Sequence, residues 1–202
     1  MQKLVNYLVI LIFLISCHFA LGQSLDKYIA EANEHYQSGE TGKAAQVMKK
    51  AVENFPENST ACSYLGFYQG TMAGETENFM QAGELIAQSY ENLNKAVELD
   101  PNNPVARFHR GLMGISVPSF MNKLDEGIAD LEFLTELSQK APEQVPSDLL
   151  IFGYDFLAQG YQKKGNQAEA AATWKKIIEL APESDMAHKA ENMISGSASP
   201  SP

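Results

Sequence analysis

The chain has 202 residues, of which 45 % are hydrophobic, 20 % charged and 9 % aromatic. That is enough apolar material for one domain or one short repeat array, and too much for a disordered chain. Lys+Arg numbers 15 against Asp+Glu 25, a formal charge of −10, and so acidic a surface repels phosphate backbones and argues against a nucleic-acid partner.

Residues 1–22 read as an address rather than as structure. Lys3 supplies a positive end, and Leu4 to Ser16 is an apolar run of the length of a signal-peptide core. Ala20-Leu21-Gly22 puts small residues three and one before Gln23, as a general signal peptidase requires. Leu14-Ile15-Ser16-Cys17 also resembles a lipobox, which would make Cys17 a lipidated N-terminus and tether the chain to a membrane. An uncleaved anchor is a third reading. Cleavage after Gly22 is preferred because apolar residues continue past Cys17 through Phe19, Ala20 and Leu21. The expected location is therefore periplasmic or secreted, with a membrane-anchored lipoprotein as the alternative. After cleavage Cys62 is the sole cysteine, in the apolar helical pattern Ala61-Cys62-Ser63-Tyr64-Leu65, and reads as a buried inert thiol. Asn58-Ser59-Thr60 fits a glycosylation sequon that matters only in a eukaryotic secretory host.

Beyond the leader, the chain repeats. Three segments end alike, at Phe55-Pro56, Asp100-Pro101 and Ala181-Pro182. Upstream of each proline, the pairs Ala44/Ala51, Ser89/Ala96 and Ala170/Ile177 are spaced by two helical turns and so face the same way. Ala32 precedes Ala44, and Ala158 precedes Ala170, across turns at Ser38-Gly39-Glu40 and Lys164-Gly165-Asn166. The unit is helix, glycine turn, helix, then a proline that stops the second helix.

This unit resembles the tetratricopeptide repeat family, a helix pair of about 34 residues with small residues where helices cross. Ile151 to Ser184 carries Tyr154, Leu157-Ala158, Tyr161, Gly165, Ala170, Trp174, Ile177 and Pro182 at the family spacing. Leu25 to Asn58 matches through Tyr28, Ala32, Gly39, Ala44, Ala51 and Pro56, with Glu31 where the family prefers leucine. The resemblance covers residues 25–184 and implies an all-α solenoid of about four repeats, which can bury a continuous core.

The middle units are longer than the pattern. In the second, the extra length falls in Gly70 to Gly83, and in the third in Gly114 to Lys123; both are expected to be enlarged turns. Because equivalent turns of stacked repeats lie on one edge, the two should meet, bringing Phe79-Met80 beside Phe120-Met121. Pro118 would serve as the first residue of a helix. The second helix of the third unit spans Leu124 to Lys140, with a link through Gln144-Val145-Pro146. Asp185 to Ile194 reads as a capping helix that closes the last face with Met186, Ala190, Met193 and Ile194. Residues 195–202 read as a disordered tail. The domain thus spans 23–194.

No motif for catalysis, metal, nucleotide or cofactor binding is present. His35, His109 and His188 fall in different helices without ligand spacing, and Glu75/Glu77, Asp125-Glu126 and Asp130/Glu132 read as solvated helix faces. Arg107 and Arg110 stand where the family buries apolar residues. One reading is a buried ion pair with Glu75, Glu77 or Glu84; the other is a grip for an anionic group. The resemblance implies a concave groove lined by first helices. Its positions are Ile29, Asn33 and Tyr36, then Ser63 and Phe67, then Phe108 and Leu112, and last Asp155, Gln159 and Gln162. Of the residues with which family members clamp a carboxyl terminus, only Asn33 is matched. The expectation is a non-enzymatic interaction scaffold of the bacterial envelope, holding a peptide or helical segment of another protein on the groove or the enlarged turns. The alternative is a protein that binds a small apolar ligand or lipid between the two Phe-Met pairs.

Overall fold

The computed structural model describes residues 25–197; the leader 1–22 with Cys17, and residues 198–202, lie outside them. Helices follow in antiparallel pairs: α1 (25–37) with α2 (Thr41–Asn54), α3 (Ser59–Glu75) with α4 (Phe79–Leu99), α5 (Pro104–Ser116) with α6 (Leu124–Lys140), and α7 (Ser147–Lys163) with α8 (Gln167–Leu180). A last helix, α9 (Asp185–Ser197), packs on α8. First helices lie against first helices, α3 on α5 and α5 on α7, so the described residues form an α-solenoid without strands. No described helix is long and apolar enough to cross a membrane.

Local chemistry sets the helix ends. Asn58, Asn78 and Asn103 each accept backbone N–H bonds from the first turn of the helix that follows, and Pro104 stands in that first turn, where its missing N–H costs nothing. Gly39 and Gly165 turn the first and fourth pairs at φ of +76° and +86°, a region that a side chain disfavours.

Small residues bring each pair together. Ala32, Ala44, Ala51, Ala96, Ala158 and Ala170 are fully buried, and Ser89, also buried, donates its hydroxyl to the Gly66 carbonyl at 2.7 Å. Trp174 is fully enclosed by Tyr154, Ala158, Ala170, Ile177 and Ala190. Met186, Met193 and Ile194 of α9 cover that cluster, and α9 continues three residues past Ile194, so Ser195 to Ser197 are helical rather than tail.

The two long units differ from expectation and from each other. In the second, the extra residues do not make a loop: they lengthen α3 to 17 and α4 to 21 residues, leaving only Thr76-Glu77-Asn78 between them. The reason is local. Gly70 to Gly83 contains no proline, and Asn78 starts a new helix by accepting from Met80 and Gln81 N–H. In the third unit a loop does form. Val117 is held extended before Pro118, whose φ of −56° and ψ of 144° lie outside a helix, so Pro118 precedes the single 3-10 turn Ser119–Met121 rather than opening an α-helix.

That loop folds back on α4, but not at its tip. Val117 and Ile86 both pack on Tyr90, Leu93 and Met113, and the Lys123 ammonium sits 4.7 Å from the centre of the Tyr90 ring. Ile86 is two turns, roughly 10 Å, beyond Phe79. Phe79 is 94 % exposed and Phe120 80 % exposed, so the two Phe-Met pairs do not cover one another and no apolar lip forms between them.

Candidate inner-face docking site

The first helices carry a run of rings across the array. Tyr36 of α1 meets Phe67 of α3 edge-on at 5.5 Å, and Phe67 stacks on His109 of α5 at 4.7 Å and 14°. Phe108, beside His109, then meets Phe156 of α7 at 6.2 Å. Of the groove positions, Tyr36, Phe67 and Leu112 keep exposed surface, while Phe108 is buried in the core with Ile128, Leu131 and Leu157. Ile29 packs against the core formed by Ala32, Met48, Leu65 and Tyr68, and Asn33 accepts the Tyr68 hydroxyl at 2.8 Å. The floor of the face is thus largely aromatic.

A slot of about 190 Å³ opens in this floor. One wall is Phe67, Gly70, Thr71 and Gly74 of α3; the other is His109, Leu112, Met113 and Ser116 of α5. It opens beside Gly74 of α3, where a Cβ would meet nothing within 4 Å, whereas Met113 and Ser89 already fill the space beside Gly70. His109 is nine-tenths buried, its Nδ1 is 2.8 Å from the Oγ of fully buried Ser63, and burial pushes its pKa down to about 3, so the ring is neutral. A larger cleft of about 660 Å³ lies between the Val117–Asn122 loop and the end of α7. Its two ammonium groups are engaged, Lys163 with the Ile115 carbonyl and Lys164 with Asp125.

Arg107 and Arg110 share one carboxylate. Arg107 Nη1 donates to Asp130 Oδ1 at 2.7 Å; Arg110 donates through Nε to Oδ2 at 2.6 Å and through Nη2 to Oδ1 at 2.9 Å. Burial works against the charged form of Arg110, but the bond to Asp130 and its charge outweigh that and hold the pKa above its ordinary value. The acids suggested from sequence are not these partners: Glu75 accepts the Thr41 hydroxyl at 2.7 Å instead. Asp130 is 1 % exposed, so it is not on a solvated face. It shares the inward stripe of α6 with Gly127 and Leu134, and an acid at a core position facing two arginines was the overlooked signal. Both guanidiniums are committed to the fold, which leaves little for an external anion.

No family model matches the chain, and no curated protein matches it in sequence. Solved structures do resemble it. A thermophilic TPR protein of Thermus thermophilus superposes with a TM-score of 0.67 at 17 % identity over 90 % of this chain and 94 % of that one. The structure of Pseudomonas aeruginosa pilF gives 0.62 at 16 %, over 90 % and 80 %, and that of MamA gives 0.51 at 20 %, over 87 % of each. The fold is the tetratricopeptide repeat fold.

In that TPR frame the fourth repeat offers less of a groove than its polar residues suggest. Asp155 is buried and accepts from Lys189 at 2.6 Å, Gln159 at 2.9 Å and the Trp174 indole at 3.3 Å. It ties the capping helix to the TPR core. Gln162 is half-buried and its side chain makes no hydrogen bond among the described residues. Among those residues no group of His, Cys, Asp and Glu is placed to hold a metal, and the thiol of Cys62 is buried with its pKa raised by desolvation.

Proposed function

We propose that the chain is an exported, non-enzymatic docking module that holds a segment of a partner protein across the inner face of its first helices. The slot between α3 and α5 carries this reading. At about 190 Å³ it is smaller than the roughly 300–1,000 Å³ of small-molecule sites and suits a single anchoring side chain. Tyr36, Phe67 and Leu112 supply the preformed apolar surface on which the rest of a segment can lie. The Ser63–His109 pair does not favour an enzyme, because Ser63 is fully buried and cannot reach a substrate. Export rests on the leader, and a bacterial envelope is the compartment that its cleavage pattern suits.

A photo-reactive residue placed at Leu112 in cells should capture a partner, and filling the slot with Gly74→Leu should abolish that capture. The same residue placed at Phe79 should capture nothing that depends on Gly74. Capture at Leu112 that persists unchanged in Gly74→Leu would remove the slot from the function. An intact mass beginning at Gln23 is expected for the protein purified from its host; a lipidated Cys17 would instead put the docking face at a membrane surface.

A further inference from the structure

The polar groups of the slot are not a random sample of donors and acceptors. Thr71 donates its hydroxyl hydrogen to the Phe67 carbonyl at 3.1 Å, and Ser116 donates its own to Leu112 at 2.8 Å. Both hydroxyls have thus spent their hydrogen within their own helix and can offer only acceptor capacity to the slot that these residues line. Ser63 Oγ lies 3.3 Å from the Val105 carbonyl, which can only accept, and 2.8 Å from Nδ1 of His109, so we assign its one hydrogen to the carbonyl and let its oxygen accept from Nδ1. That arrangement satisfies both contacts and puts the imidazole proton on Nδ1, leaving Nε2 with a lone pair. Nε2 has no partner among the described residues. Of their buried side-chain nitrogens and oxygens only the Tyr90 hydroxyl lacks a bond, so Nε2 is not sealed in the core and reaches the slot that His109 lines.

Resting on the docking reading above, we infer that the slot takes an apolar side chain tipped with a neutral hydrogen-bond donor, an indole or a phenol, whose N–H or O–H bonds to Nε2 of His109. Each alternative meets a specific penalty. A leucine or phenylalanine anchor would bury Nε2 without a partner and forfeit its bond to water. A carboxylate would bring an acceptor to acceptors in a chain of net charge −10. A lysine or arginine would lose its hydration in a slot whose lining includes no carboxylate. A flat ring has in its favour the exposed part of the Phe67 ring, one face of which is already stacked on His109, and the thioether of Met113, both of which pair well with aromatic edges.

The test uses two probes of nearly one shape, indole and benzothiophene, which lacks the N–H, titrated into the mature chain while the amide resonances of Gly70 and Gly74 and the 15N resonance of His109 Nε2 are followed. Indole should shift all three saturably, and benzothiophene should bind about tenfold more weakly, the worth of one hydrogen bond. His109→Phe, which keeps the stack on Phe67, should shrink that difference below about twofold. Gly74→Leu should block both probes. Equal binding of the two probes to the unaltered chain, or an indole response that leaves Gly70 and Gly74 unmoved, overturns the donor preference. The docking reading fails separately, on cross-linking at Leu112 that ignores Gly74→Leu.

Discussion

The second and third repeats carry the same excess, residues beyond the regular TPR length, and dispose of it in opposite ways. In the second the excess is helix, drawn out to a tip at Phe79 that is almost wholly exposed; in the third it is a loop, broken by Pro118 and pressed against α4 through Val117 and Lys123. Their cores differ to match. The second repeat closes with two glycines on α3 alone, Gly66 against Ser89 and Leu93 and Gly70 against the Ser89 hydroxyl. The third closes with three, Gly111, Gly114 and Gly127, and buries Asp130 between two arginines. Inserted length is harmless where it projects into solvent. Where it folds back, the repeat beneath has to be packed more tightly.

The contrast is broken most severely at Asp130. Asp130→Asn keeps the shape and removes the charge that Arg107 and Arg110 share, leaving mostly buried Arg107 without a counter-ion and Arg110 with only Glu126, 3.7 Å away. A loss of about 3–5 kcal/mol in denaturant unfolding is expected. Replacing the group together, with Arg107→Met, Arg110→Leu and Asp130→Leu, should recover most of it, because desolvating the ions is itself costly. Equal stability of Asp130→Asn and the parent would mean the cluster is solvated. Gly114→Ala comes next. Its Cβ would lie 2.7 Å from the Gly127 Cα and 2.8 Å from the Lys123 carbonyl, both backbone atoms that cannot swing aside. Forcing α5 and α6 apart should cost about 3 kcal/mol, whereas Gly74→Ala in the second repeat should be neutral or stabilising by up to about 1 kcal/mol.

The repeats themselves were legible because they depend on spacing. The seven-residue pairs Ala44/Ala51, Ser89/Ala96 and Ala170/Ile177 lie on the buried stripe, and α6 spans Leu124–Lys140 as its pattern implied. What spacing does not carry is the choice between helix and loop inside an insertion. That was decided by single residues, Pro118 in one case and Asn78 in the other. Partners across repeats were equally hidden. Ser63 and His109 lie 46 positions apart in sequence, and Asp130 looked like any surface acid until α6 was placed against α5. The slot between α3 and α5 was invisible for a related reason: it opens beside Gly74, where no side chain stands, and a gap has no residue type of its own.

Acid should sharpen the comparison by loading the contact between the two repeats, where His109 of the third meets Ser63 of the second. An unfolded histidine takes its proton near pH 6.5, whereas His109 in the fold resists protonation down to about pH 3. Between these values the unfolded chain binds the extra proton. Stability is therefore complete above the unfolded pKa and declines as pH falls, by up to about 1.4 kcal/mol per pH unit from this residue. His109→Phe should flatten the curve between about pH 4 and 6 relative to the parent; parallel curves would show that the ring is charged or hydrated in the fold.

The smallest effect belongs to the projecting tip. Phe79 is 94 % exposed and Met80 76 %, so Phe79→Ser with Met80→Ser removes no buried contact, and the Asn78 cap that starts α4 uses only backbone N–H groups at positions 80 and 81. The midpoint of denaturant unfolding should stay within about 0.5 kcal/mol of the parent, and capture of a partner at Leu112 should be unchanged. A clear loss of capture in this double variant, with stability intact, would move the docking surface from the inner face to the tip. A clear loss of stability would mean that the long hairpin of the second repeat is covered in solution rather than free, and the division between a projecting and a folded-back insertion would no longer hold.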